Sequence, residues 1–272
     1  MRPLRNIKLT LAYDGTDFAG FQVQPKARTV QGELSAALGR ILGEEVKVIG
    51  AGRTDAGVHA RAQVVNFHTA ARIPLERLPA ALNSCLPRDV TVWQAEEVPA
   101  EFHARYSAKT KVYRYLMEVA PYPSPFLRRF SWHLPFPLDV AAMRAAAEEL
   151  TGEHDFTSFC AAGGAAKSHV RTLRRLAVAE EGGLIAVEAA ADGFLYKMVR
   201  NLVGTLVEVG RGVLKPEDMG RILAARDRKA AGPTAPPQGL ILWHIDYEEN
   251  LAKETPGDVA LTVPWACVKI TL

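Results

Sequence analysis

The stretch GAGRTDAGVHA, residues 50–60, carries one acid, Asp55, and no cysteine, serine or second carboxylate. Gly50, Ala51, Gly52, Ala56 and Gly57 surround it, so a bulky group can approach the backbone closely. A carboxylate with Arg53 two residues away is equipped to act as a nucleophile or a base. The competing use of the same residues is a plain turn, because aspartate ahead of glycine is a common turn former.

Other chemistries lack their residues. Gly50-x-Gly52 begins like a dinucleotide fingerprint, but Asp55 stands where the third glycine belongs and would repel a pyrophosphate. There is no G-x-x-x-x-G-K phosphate loop. The seven histidines are scattered, without H-E-x-x-H or a Cys/His cluster, so no zinc site is expected. Asp14-Gly15-Thr16-Asp17 reads as an Asx-type turn after a strand.

Basic residues gather in two segments. Arg105, Lys109, Lys111, Arg114, Arg128 and Arg129 face only Glu118, and Tyr106, Tyr113, Tyr115, Tyr122 and Phe126 interleave with them. Lys167, Arg171, Arg174 and Arg175 follow with no acid. Cations for phosphates and rings for stacking are the chemistry of single-stranded or flipped-base RNA binding, set against a simply solvated strand face. The net charge of +3 permits an anionic partner without demanding one.

Elements must position these groups. Residues 7–13 alternate as a strand. An amphipathic helix follows over 29–42, capped by Thr29 and closed by Gly43. Short strands at 46–49 and 62–67, a helix from Pro74 and a strand at 90–95 complete a β-α-β-β-α-β order. The second half repeats that plan loosely. It has a strand at 112–119, an Asp139-capped helix to 150, a hairpin of 172–179 with 184–190, helices at 196–210 and 216–225, and a strand at 240–247. In the helix from 196, Val199, Leu202, Val203 and Leu206 form a buried stripe, with Lys197, Arg200, Asn201, Gly204 and Glu208 opposite, a stripe that is either solvated or, with Gly204 beside Arg200, turns that arginine to a cleft. The fold expected is α+β, two pseudo-symmetric ferredoxin/RRM-like halves joined into a continuous antiparallel sheet with a central active-site cleft. The halves are 1–106 and 107–250, and 251–272 is a tail of unassigned role. Isolated Cys85, Cys160 and Cys267 fit a reducing compartment. No apolar run reaches the length of a membrane span, so a cytoplasmic protein is expected.

Five stretches, in this order along the chain, carry a resemblance: YDGTDFAGFQVQ (13–24), GAGRTDAGVHA (50–60), FHARYSAKTKVYRY (102–115), YKMVRNLVG (196–204) and APPQGLIL (235–242). The chain resembles the bacterial tRNA pseudouridine synthase A family over residues 5 to about 248. The resemblance implies a homodimer that needs no cofactor or metal and isomerises uridines of the tRNA anticodon stem–loop, at positions 38, 39 and 40. It implies Asp55 as the catalytic aspartate, Arg200 as the arginine that pairs with it, and Tyr113 as the tyrosine that stacks on the target base. It further implies Leu240 as an apolar pocket residue, and Arg53 and Arg105 as basic positions near the nucleotide or its phosphates. KSHVRTL (167–173) looks like the family's variable basic loop, and His169, where many members carry proline, takes no role.

Two rival readings remain. A non-catalytic RNA-binding module would share paired α+β halves, but its RNP1 pattern is absent. A nucleoside hydrolase usually needs two carboxylates, and no second acid accompanies Asp55 locally.

Overall fold

The computed structural model describes residues 4–164 and 166–248; the tail from 251 and Cys267 lie outside the described residues. The first half runs β1 (Arg5–Tyr13), α1 (Val30–Leu42), β2 (Ile49–Gly50), β3 (His59–Thr69), α2 (Leu78–Asn83) and β4 (Val90–Val98). The second half begins with β5 (Thr110–Val119), β6 (Trp132–Leu134), α3 (Val140–Glu149) and β7 (Gly152–Asp155). It continues with β8 (Val170–Glu181), β9 (Leu184–Ala191), α4 (Met198–Gly210), α5 (Asp218–Ala225) and β10 (Leu240–Asp246).

These elements build a mixed α/β fold around one large sheet, ordered β4-β1-β3-β10-β5-β9-β8-β7, with β2 on β3 and β6 on β5. Alternation drives it. In β1, Ile7, Leu9, Leu11 and Tyr13 point into the core while the residues between them do not. Local signals set the helix ends as expected. The Thr29 side chain accepts from the Gly32 amide, and Gly43 closes α1 in the left-handed conformation at φ 71°. The Asp139 side chain caps α3 through the Ala142 amide.

The seam of the sheet is what serves the site. β10, from the C-terminal end of the described chain, pairs parallel to β3 (Ile241 with His59, Leu242 with Ala60) and antiparallel to β5 (Leu240 with Tyr115, Leu242 with Tyr113). Strand β10 therefore separates the strand that follows Asp55 from the strand that carries Tyr113. Two strand spacings put them roughly 10 Å apart. The sheet is continuous but not wholly antiparallel, because β10–β3 and β5–β6 are parallel pairs.

Several sequence expectations need correction. The strand expected at 46–49 is the two-residue β2, at Ile49–Gly50. The helix expected from Pro74 begins at Leu78, after a turn, and the helices expected from 196 and 216 begin at Met198 and Asp218. β6 and β7 were not anticipated; three and four residues are too few to show a period. The largest correction concerns α4. Its expected polar stripe is buried: Arg200, Asn201 and Gly204 lie inside, and only Glu208 of the helix is partly exposed. The segment from Pro233 to Ala235 crosses that stripe, so closely that a Cβ on Gly204 would sit 1.7 Å from the Pro233 carbonyl oxygen.

Candidate active site

Asp55 sits in the loop between β2 and β3, and the segment before α1 underpins that loop. The Phe21 amide donates to the Thr54 carbonyl and the Gly57 amide to the Phe18 carbonyl. Thr54 is buried and its hydroxyl bonds the Tyr13 hydroxyl at 2.8 Å. Gln63 donates both to that hydroxyl and, at 2.9 Å, to the Gly52 carbonyl. His59 is tied to two chain segments at once, accepting from the Gly15 amide at 3.0 Å and meeting the Gln238 carbonyl at 3.1 Å. The loop backbone is thus held from below, and the YDGTDFAGF and RTDAGVH stretches form one structural unit.

The Asp55 carboxylate takes no part in its own turn, where the backbone carbonyl accepts from the Val58 amide. Its side chain, 26% exposed, meets Arg200 instead, with Nη1 donating to Oδ2 at 3.2 Å. Arg200 lies in the first turn of α4, where the helix dipole disfavours a cation. Its placement is explained by its partners: besides Asp55, Nε donates to the Ala235 carbonyl at 2.7 Å, and the Ala235 amide returns a bond to the Arg200 carbonyl. Pro237, two residues on, rests against Gly57, whose φ of +75° and nearby proline leave no room for a side chain. One short loop therefore touches both members of the ion pair's frame.

Tyr113 projects from β5 toward the same loop. A Cβ on Gly52 would lie 4.0 Å from its hydroxyl, and its ring meets Phe194 edge-on at 5.2 Å. Burial first, then the neighbouring Tyr13 and the charge of Asp55, push its hydroxyl well above the ordinary tyrosine range. At neutral pH it is a phenol, able to donate a hydrogen bond. Leu240 is buried on the same face, across from Tyr115, whose hydroxyl donates to the Pro236 carbonyl at 2.7 Å. Arg53 and Arg105 are exposed, and Arg105 lies over the exposed ring of Tyr106.

The basic segments divide. Arg114 points to the opposite face, buried against Glu188 at 2.7 Å and over the Trp243 ring. Arg175 joins the same glutamate, and Arg129 pairs with Asp14. Burial opposes the charge on Asp14, yet the hydrogen bonds it accepts from the Thr16 amide and hydroxyl hold that carboxyl well below the usual range. That acid belongs to an Asx turn, with its oxygen accepting from the Thr16 amide at 3.0 Å. An apolar hollow of about 310 Å³ opens on this opposite face, lined by Trp93, Leu116, Phe130, Ile241 and Trp243, and it contains none of Asp55, Tyr113 or Arg200. Among the described residues no group of three His, Cys, Asp or Glu is placed to hold a metal ion. None of their helices is long and apolar enough to cross a membrane.

Sequence reasoning missed Phe194, Ala235 and His59 as parts of this site. Phe194 lies in the irregular link before α4, where no period exists to read. The work of Ala235 is done by its backbone, which leaves no residue-type signal.

Comparison with known proteins shows the family of the chain. A family model described as tRNA pseudouridine synthase matches residues 10–107 and 146–248. The chain is 56% identical over 243 residues to tRNA pseudouridine synthase A of Moorella thermoacetica, covering 89% of this chain and 99% of that one. It is 50% identical over 244 residues to the protein of that name from Brevibacillus brevis, covering 90% of this chain and all of that one. For the Halalkalibacterium halodurans protein, also so named, the identity is 52% over 239 residues, with 88% and 91% covered. Among solved structures, a Cbf5–Nop10–Gar1 complex is similar at a TM-score of 0.35 and 15% identity, over 74% of this chain and 45% of that one; a likeness so distant carries no argument. With both halves under one family model and relatives about half identical along nearly their whole length, the chain belongs to the tRNA pseudouridine synthase A family, isomerases that act on tRNA.

Proposed function

We propose that this enzyme isomerises uridines of the tRNA anticodon stem–loop on a flipped nucleotide, with Asp55 as nucleophile or base at the sugar. The observation that carries the reading is the Asp55–Arg200 pair, part-exposed and beside Tyr113, over the seam of the sheet. Pseudouridine formation breaks N1–C1′, turns the uracil and joins C5 to C1′. The proton leaving C5 is matched by one gained at N1, so atoms balance with no second substrate. One carboxylate suffices for such a reaction. Arg200 orients that carboxylate through its own anchor on Ala235. Tyr113 stacks on the extruded base, with Leu240 as the apolar wall beneath. A phenol held protonated suits hydrogen-bond donation or proton relay better than a role as base. Arg53 and Arg105 meet the phosphates. Extruding the nucleotide costs a few kcal/mol, which phosphate contacts repay. The two halves, 1–106 and 107–250, form the walls of the cleft, and the enzyme works as a homodimer without cofactor.

The test is incubation with unmodified tRNA followed by pseudouridine mapping. Pseudouridine in the anticodon stem–loop supports the reading. Free uracil would mean a hydrolase, and an unaltered tRNA a binder. Asp55→Asn is expected to fold and bind tRNA yet release no tritium from C5-labelled uridine; substantial release would end the role given to Asp55.

A further inference from the structure

Strand β5 brings a lysine to the cleft that the groups assigned above leave unused. Lys111 stands two residues before Tyr113, on the same face of the strand. Its ammonium donates to the Ala51 carbonyl at 2.7 Å. A Cβ on Gly52 would lie 3.8 Å from that nitrogen and 4.0 Å from the Tyr113 hydroxyl, so both side chains converge on one point of the Asp55 loop. An ammonium carries three donors, and this bond uses one.

Two more cations press on it. Arg105 lies in the turn before β5, and Arg171, at the start of β8, packs its Nε 3.6 Å from where a Cβ on Gly193 would stand, next to the Phe194 whose ring meets Tyr113; both act on Lys111 electrostatically. Among the described residues none of the three forms an ion pair with a carboxylate. Arg171 bonds only the carbonyls of Ser168 and Val170, and Arg105 only stacks on Tyr106. Burial, followed by repulsion from Arg105 and Arg171, draws the Lys111 ammonium down to about 8. The remaining neighbours do not relieve it. On β10, His244 and Asp246 flank its partner Ile245, bond each other at 2.7 Å and alternate to the other face. Asp192, after β9, accepts from the Thr172 amide, and Asp55 is engaged by Arg200. Three like charges from three chain segments, with no acid between them, form a site whose repulsion an anion would reverse.

We propose that Lys111, Arg105 and Arg171 form a phosphate site that holds an RNA backbone phosphate next to the uridine presented to Asp55. A phosphate fits better than a uracil carbonyl, because a neutral oxygen would leave three positive charges unneutralised. Through its bond to Ala51, Lys111 ties that phosphate to the loop that carries Asp55. The proposal rests on the reading of this cleft as the uridine site.

The experiment uses the full chain and unmodified tRNA, with Lys111→Met, Lys111→Arg and Arg171→Met. Lys111→Met is expected to weaken tRNA binding about tenfold or more. It should also make the slope of log affinity against log salt shallower by about 1. The single-turnover rate at saturating tRNA should fall far less than the affinity. Arg171→Met should flatten the salt slope in the same direction. Wild-type affinity should decline as pH rises through about 8, where Lys111 loses its charge, and Lys111→Arg should abolish that decline. An unchanged salt slope in Lys111→Met, or a pH decline that persists in Lys111→Arg, overturns the proposal. A purely structural lysine would lower the rate and leave the slope alone. Wild-type protein that forms no pseudouridine would instead refute the uridine reading, while the salt and pH slopes would still judge the anion site.

Discussion

Replacing Gly204 by alanine sets two known effects against each other. In an exposed helix interior that change stabilises by about 1 kcal/mol, because glycine surrenders more backbone freedom. In α4 the new Cβ would stand 1.7 Å from the Pro233 carbonyl oxygen and 2.9 Å from its carbon, where real Cβ contacts essentially never fall below 3.0 Å. The obstacle is backbone, not a side chain that can swing away, so the crossing loop must retreat by roughly 1 Å or more. Overpacking costs about 1–3 kcal/mol, and against unyielding backbone it lies at the upper end, about 3 kcal/mol, which outweighs the propensity gain. The expected net loss is about 2 kcal/mol, which for a chain of this size lowers the melting temperature by about 4–8 °C. Function should suffer more than stability. The retreating loop carries Ala235, which bonds Arg200 twice, and Pro237, which rests on Gly57 beside Asp55. A misplacement near 1 Å at a reacting group can cost on the order of 100-fold in rate. We therefore expect Gly204→Ala to lower kcat about 100-fold in tritium release while tRNA affinity changes little. Gly220→Ala is the matched control, since nothing lies within 4 Å of its added Cβ in α5. It should be neutral or stabilising and fully active. A Gly204→Ala protein that melts at or above the wild-type temperature and turns over normally would refute the coupling of α4 to the active site through this loop.

Arg200→Met should destabilise by about 2–4 kcal/mol in urea unfolding, because it leaves the buried Ala235 carbonyl without its side-chain donor and Asp55 without its partner. Combined with Asp55→Asn it should show a coupling of about 1 kcal/mol; costs that simply add to within about 0.3 kcal/mol would mean the pair contributes nothing. Tyr113→Phe should keep tRNA affinity, since the ring survives, and slow turnover by removing the hydroxyl near Gly52. Wild-type turnover in that variant would leave the hydroxyl without a chemical role.

The two faces of the sheet explain how a modestly charged chain can present a cationic site. Arg114, Arg129 and Arg175 are neutralised by Glu188 and Asp14 on or near the opposite face. Arg105, Lys111 and Arg171 have no such partners among the described residues, and Lys111 reaches the Asp55 loop. Net charge could not reveal this, because it counts both groups alike.

Local chemistry was legible in the sequence. Thr29, Gly43 and Asp139 set helix ends through bonds to residues three or four positions away, and alternation in β1 follows from the pleat of a single strand. The unusual density of small residues around Asp55 also marked that loop before any fold was known. Tertiary structure alone decided which faces are covered and which distant groups meet. Helical period left the stripe holding Arg200 and Gly204 either solvated or facing a cleft, and the 233–235 segment lies across it and buries it. Only the insertion of β10 between β3 and β5 brings residues 55, 113 and 240 to one seam. Period and propensity report a residue's own turn or pleat. The separation of 145 positions from Asp55 to Arg200 is closed by strand pairing and packing, which no local pattern encodes.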